Sequence, residues 1–374
     1  MLPYRSYVLI SRDQLLRNYR SVRAAAGPGV AVMAVVKANA YGHGAVEVAR
    51  MLVAEGVEWL AVSSVNEGVA LRRAGIEKPI LVMAGLLPQE WPALADSRLT
   101  PVVHSLEGLR TLEHLARESG KTTEFHLKID SGMYRLGTRA AAAEIIGALR
   151  ETKHARMDGL MTHFASPTDY TSTQTDEQTA YFTGIVEALR AAGFCPEHIH
   201  MSSTNALAYK RNPGWLTMVR PGHALYGYVS PARGDAPKPL LDVKPVLTWK
   251  AKILIVKDIA AGSRVGYGGS FRAPEAMRIA VLAAGYADGV PHRLSGRGKV
   301  IAAGTLVPIL GSVSMDLTTI DVSHTPSLAP GDDVTLLGRE GNVGLDAQQI
   351  ARMAGTISYA ILCGIGDRVE RVYV

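Results

Sequence analysis

The chain has little cysteine and few aromatic residues. Two cysteines, Cys195 and Cys363, stand among 374 residues. They are too few for a disulfide framework or a four-cysteine zinc site, which favours a reducing compartment. No stretch reaches the roughly 18 apolar residues of a membrane span, and the opening MLPYRSYVLISRDQ holds no apolar signal region. No membrane contact is expected, and the expected location is the cytoplasm. Long basic runs are also absent. Forty Lys and Arg against 34 Asp and Glu leave a net charge of +6, but the cations are scattered and no nucleic-acid motif goes with them. No nucleic-acid partner is expected; the slight excess reads as solvated surface and also suits an anionic small ligand. With 47 % hydrophobic and 20 % charged residues, the chain can bury a large core, so disorder is excluded as its main state.

From residue 30 to about 222, short apolar runs alternate with amphipathic stretches. The runs are Val30–Val36, Trp59–Val62, Pro79–Met83, Thr100–Val103, Glu124–Ile129, Asp158–Thr162, His198–Ser202 and Thr217–Arg220. Continuous apolar runs of this length read as buried parallel strands. Helical patterns lie between them at 45–55, 65–74, 105–119, 139–150 and 176–192, and several end in glycine (Gly56, Gly75, Gly120, Gly193). Eight βα units in series predict a (β/α)8 TIM-type barrel over residues 1–235; an open doubly wound sheet is the rival that periodicity alone leaves standing. The texture changes at PARGDAPKPLLDVKP, a linker with four prolines. Residues 236–374 then read as a mostly-β domain with one late helix from Asp346 to Ala354. The strand-like Tyr4–Ser11 precedes the barrel, and pairing with that second domain is open to it.

Barrels carry chemistry at the C-terminal ends of their strands. The first run ends at Lys37, after AVMAVV; the fifth at Asp130, with Met133 and Arg135 following; the sixth at His163; the seventh at Ser202, Ser203, Thr204 and Asn205; the eighth at Arg220 and Gly222. A lysine after six apolar residues either snorkels to solvent or stands partly desolvated at a barrel mouth, where a neutral amine can attack an aldehyde. The loops after strands seven and eight are where barrels often hold phosphate, and here they offer hydroxyls and a close backbone. N-caps and a turn are the plainer reading of those loops. A strand-end lysine with a phosphate cradle suits pyridoxal 5′-phosphate (PLP); a phosphosugar aldolase would use the same two parts. His126, Lys128 and Asp130 alternate and so point to one side of a strand. The lysine among them argues against a metal site, and none is expected. Tyr267 lies among glycines in SRVGYGGSFRAP, the pattern of a hairpin tip.

VVKANAYGHG, IDSGMYRLG, MTHF, VRPGHALYG, RVGYGGSF, GYADG, GSVSMD and ISYAILCGIGDRVERVY follow one another in the chain. In kind and order they resemble the blocks of the alanine racemase family, nearly end to end. The resemblance implies a PLP enzyme that interconverts L- and D-alanine with two bases and supplies D-alanine for peptidoglycan. By that resemblance Lys37 holds PLP and is one base, and Tyr267 is the opposite base. Tyr41, Ser203, Thr204, Gly222, His223 and Tyr359 surround the phosphate, His163 lies beside the ring, and Arg220 faces the pyridine nitrogen. Arg135 and Met315 receive the substrate carboxylate, and Lys128 matches a lysine carbamylated in some members. The implied assembly is a homodimer with shared sites, Tyr267 and Met315 acting in the neighbouring subunit. A broader-specificity racemase or a related PLP barrel decarboxylase is the alternative. Three residues depart from the pattern: His223 after RPG, Asn205 in SSTNA and Tyr134 in GMYRLG.

Overall fold

The computed structural model describes residues 4–211 and 216–374. They form two compact units: one comprises residues 15–40 and 45–244, and the other the chain up to residue 14, residues 41–44 and residues 245–374. The division therefore falls at 244/245, nine residues beyond the 235/236 boundary drawn from the sequence.

The first unit is the barrel. Its strands are Ala31–Val35, Trp59–Val62, Ile80–Val82, Thr100–Val103, Thr123–Lys128, Ala155–Met161, His198–His200 and Met218–Val219. They pair in parallel and in sequence order, and the last strand returns to pair with the first. The remaining gap is bridged by hydrogen bonds from Thr217 N–H to Ile199 O (3.1 Å) and from Arg220 N–H to Ser202 O (2.9 Å). An open doubly wound sheet would break the sequence order of its strands and leave two free edges, so that rival is excluded. The strands were legible because both faces are covered: Trp59–Val62 and Ile80–Val82 are buried at every position. Helix Val65–Arg73 starts at Ser64 with a capping box to Glu67, and helix Leu106–Ser119 at an N-cap from Ser105. A helix at Arg12–Ala26 precedes the first strand. Its Asn18 is fully buried and donates to the carbonyls of Leu225 and Lys244, which ties the helix to the barrel's end.

In the second unit, a nine-stranded sheet runs in the order 343–345, 333–340, 299–302, 305–310, 318–321, 277–282, 247–259, 6–10 and 370–373. Strand 247–259 also pairs with 333–340, which curls the sheet back on itself. The N-terminal strand Ser6–Ile10 pairs antiparallel with 247–251 and parallel with 370–373. The short turn 41–44 belongs to this unit because of a close approach. A Cβ on Gly42 (φ +81°) would lie 2.2 Å from the Leu362 carbonyl oxygen, so only glycine fits there. Arg371 Nε donates to Gly42 O and the Tyr373 hydroxyl to His43 O. Among the described residues no helix is long and apolar enough to cross a membrane.

Candidate active site

Lys37 closes the first barrel strand, and the backbone beyond it is unusual. Ala38, Asn39, Ala40 and Tyr41 all have φ between 51° and 53°. A left-handed turn of L-residues costs roughly 1–2 kcal/mol per residue, so the surrounding structure must hold it. Glu67 accepts from Ala38 N–H at 2.7 Å, and the Asn39 side chain accepts from Ala45 N–H at 2.8 Å. The strand before it is pinned by Tyr226 Oη, which donates to Val35 O. Lys37 is thus half-buried at the head of a strained turn that these contacts hold.

At the ends of the later strands the expected barrel residues converge. Arg220 is buried, and its guanidinium makes five contacts. Nη1 donates to His200 Nδ1 (2.7 Å) and His200 O (3.0 Å). Nη2 donates to Thr162 O (2.7 Å) and Met201 O (3.3 Å) and lies 3.3 Å from His163 Nδ1. Burial pulls its pKa down to about 9, which still leaves it cationic at neutral pH. An arginine can only donate, so His163 Nδ1 is the acceptor and the ring is neutral with its proton on Nε2. Burial, then the charges of Arg220 and Lys128, push the His163 pKa down to about 3. Gln178 fixes the strand end: its amide donates to His163 O and Ser131 Oγ, and its carbonyl accepts from Ala165 N–H.

Lys128 is buried on the fifth strand. Desolvation, then the charges of Arg220 and Arg135, pull its pKa down to about 8. Asp130 lies beyond that strand. Its carboxylate accepts from the backbone N–H groups of Gly132, Met133 and Tyr134, so it shapes its own loop and no longer alternates with His126 and Lys128. Arg135 is exposed on this loop, and Tyr134, φ +54°, stands at its rim under the Arg139 guanidinium.

The cradle after strands seven and eight centres on Thr204. Its Oγ1 accepts from Gly222 N–H and Ala224 N–H, both at 3.1 Å, which leaves its own O–H to donate outward. Ser203 precedes the short helix Thr204–Ala208 and bridges to Arg220. The two departures here have structural roles. Asn205 exchanges hydrogen bonds with Ser230, and the buried His223 ring stacks on Tyr228 at 5.0 Å.

In the second unit, Tyr41 and Tyr359 have ring centroids 6.0 Å apart, and burial raises the Tyr41 pKa. Tyr359 sits on Ser358–Cys363, a short helix that the sequence reading did not separate. Tyr267 occupies the tip between strands Arg264–Val265 and Phe271–Arg272. That tip is anchored by a cluster of Val265, Ile279 and Leu310 with Phe271 packed on it. Ser312 Oγ donates to Tyr267 O, which joins the tip to the loop carrying Met315. Tyr267 is 78 % and Met315 54 % exposed.

Behind Arg220 lie His126, which the sequence placed only in a strand alternation, and two residues it did not single out, His200 and Asp158. His200 Nε2 is 2.8 Å from His126 Nδ1, and His126 Nε2 is 3.6 Å from Asp158 Oδ2. His200 and Asp158 stand inside apolar runs, where only their side chains' inward direction, set by strand alternation, could have marked them.

The donors fit PLP: an amine for the aldehyde, a fixed cation for the pyridine nitrogen, a neutral ring for a flat wall, and a hydroxyl with a free proton for the phosphate.

A closed barrel with this constellation at its mouth, followed by a β unit with a presented tyrosine, defines the barrel class of amino-acid racemase. Residues 10–231 match the alanine racemase N-terminal domain and residues 246–373 the alanine racemase C-terminal domain. The alanine racemase of Syntrophobacter fumaroxidans is 39 % identical over 362 residues, covering 96 % of this chain and 95 % of its own. That of Synechocystis is 38 % identical with full coverage of both chains. The alanine racemase of a D-cycloserine-producing Streptomyces lavendulae superposes with a TM-score of 0.92 at 32 % identity, covering 100 % and 98 % of the two chains. The Bartonella henselae alanine racemase, solved with covalently bound pyridoxal phosphate, superposes at 0.87 with 26 % identity and covers all of both chains. The chain belongs to the alanine racemase family, and its activity is that of a racemase.

Proposed function

We propose that this racemase interconverts L- and D-alanine with PLP held by Lys37, using Lys37 and Tyr267 as bases on opposite faces of the substrate α-carbon. When bound, PLP supplies an electron sink that acidifies the α-proton. The observation that carries the reading is the convergence at one barrel mouth of Lys37 on its strained turn, the buried Arg220 cation and the neutral His163. Arg220 remains charged at neutral pH and would oppose protonation of a pyridine nitrogen placed beside it, moderating the sink and limiting side reactions. His163 covers the ring. The Thr204 O–H, with Ser203 and the Gly222 and His223 backbone, would hold the phosphate from the barrel, and the family resemblance adds Tyr41 and Tyr359. Arg135 and Met315 receive the substrate carboxylate. Lys37 moves the proton on one face and the Tyr267 hydroxyl moves it on the other.

Tyr267 and Met315 lie on linked, exposed loops, which supports a homodimer in which each completes the partner's site and keeps water from the reacting carbon. In this reading the enzyme works in the cytoplasm, and its D-alanine supplies the precursors of peptidoglycan. Complementation tests the scheme. Lys37→Ala and Tyr267→Ala proteins should each be nearly inactive with both alanine enantiomers. Mixed with subunit exchange, they should recover about a quarter of wild-type activity, since half of random dimers carry one intact site of two. No recovery after proven exchange would place Tyr267 in its own subunit's site.

A further inference from the structure

The contacts behind Arg220 do more than fill the barrel. Arg220 offers only N–H donors, so His200 Nδ1, 2.7 Å from Nη1, must carry the lone pair, and the His200 proton sits on Nε2. That proton points at His126 Nδ1, 2.8 Å away. His126 Nδ1 is then also an acceptor, and its proton is on Nε2. His126 Nε2 is fully buried and has no hydrogen-bond partner; the nearest acceptor is Asp158 Oδ2 at 3.6 Å, an electrostatic contact rather than a hydrogen bond. Every donor in this file therefore points the same way, from the guanidinium to the carboxylate.

The file is built into the barrel. Arg220, His200, His126 and Asp158 are all buried. Trp59 packs on the His126 ring at 5.2 Å. A Cβ on Gly159 would lie 2.5 Å from His126 Nδ1, so glycine there is what leaves the ring its place. Burial holds His200 and His126 neutral, and Arg220 opposes a proton on either. Asp158 is kept ionised by His126, with His198 Nε2 and Arg156 each 3.8 Å from its oxygens. Two neutral imidazoles in series can stand in either of two tautomeric orders. If both flip, His200 Nδ1–H faces the Arg220 Nη1–H, donor against donor, and the guanidinium loses its shortest imidazole contact.

We propose that Asp158 and His126 are positioning residues: the carboxylate selects the order in which both imidazoles carry their proton on Nε2, and so holds the Arg220 guanidinium in place for the cofactor's ring nitrogen. The last clause rests on the functional reading above; the tautomer order does not.

The test uses full-length protein labelled with 15N in histidine and arginine, with and without PLP. In the wild type, His200 and His126 should both read as neutral Nε2–H rings. In Asp158→Asn they should become mixtures of tautomers, and the Arg220 side-chain signals should shift with them even without cofactor. An Nδ1–H ring in the wild type, or an unaltered single order in Asp158→Asn, overturns the proposal. With PLP and alanine, the ratio of pyruvate release by transamination to racemisation should rise about tenfold in Asp158→Asn, the effect of weakening one hydrogen bond to a charged group. Asp158→Glu should restore the ratio. Gly159→Ala, which displaces the His126 ring without removing a polar group, should raise it as well, and carries the test if Asp158→Asn does not fold. Altered tautomers with an unchanged ratio would show that the file does not act on Arg220. A wild type that neither binds PLP nor racemises alanine would fail the functional reading instead, while the cofactor-free signals still decide the tautomer order.

Discussion

Bicarbonate should stabilise this protein through a single lysine. Lys128 is buried, and desolvation, then the charges of Arg220 and Arg135, pull its pKa from 10.5 to about 8. Keeping that proton at pH 7 costs the folded chain about 3 kcal/mol. The cost is complete below pH 8. From pH 8 to 10.5 the unfolded chain holds more protons than the folded one, so stability rises with pH in that window. The same depression leaves about half the Lys128 side chains neutral at pH 8, when almost none of a free lysine would be. Carbon dioxide reacts only with the neutral amine, forming a carbamate and releasing a proton. An anion would then replace a cation beside two arginines, a change expected to be worth about 2–3 kcal/mol. Denaturant unfolding at pH 8, in carbon-dioxide-free buffer and in 13C-bicarbonate, measures the difference, and carbon NMR reads the carbamate itself. Lys128→Met should abolish both the bicarbonate effect and the alkaline rise. Equal stabilisation of Lys128→Met, or a wild type with no carbamate signal, would refute the reasoning.

Acid should unfold the cofactor-free protein over a window set by its neutral histidines. His163, with its pKa pushed to about 3, contributes about 4–5 kcal/mol that is present above pH 6.5 and lost as the pH falls towards 3; an acid titration with no loss across that window would contradict its neutral state. Ala38→Gly relieves about 1–2 kcal/mol of left-handed strain against about 0.5–1 kcal/mol of added chain entropy, so it should hold or slightly raise the melting temperature while activity drops. His223→Ile removes the stack on Tyr228 and should cost about 1 kcal/mol of stability, with PLP affinity unchanged; a large loss of PLP would show that the imidazole itself holds phosphate.

The barrel was legible because buried parallel strands are continuous apolar runs, and because chemistry at their ends interrupts those runs with Lys37, His163 and Arg220. The hairpin around Tyr267 was legible from its glycines. The left-handed turn after Lys37 was not: alanine, asparagine and tyrosine do not announce φ near +50°, and the turn is imposed by Glu67 and by packing of Gly42 on Leu362. The helix Arg12–Ala26 was overlooked although Leu15, Tyr19 and Val22 follow helical spacing; its seven charged or amide side chains masked them, and its buried Asn18 finds partners 207 and 226 residues away. His126 and His200 meet across 74 residues, a pairing that strand register creates and no local pattern encodes.

Lys37 should carry the cofactor, and one chemical measurement addresses this directly. Protein incubated with PLP should absorb in the visible, and borohydride should fix the label on the peptide containing Lys37, with the colour absent from Lys37→Ala. Label on Lys128 or another lysine, or a colourless PLP-treated protein, would contradict the account.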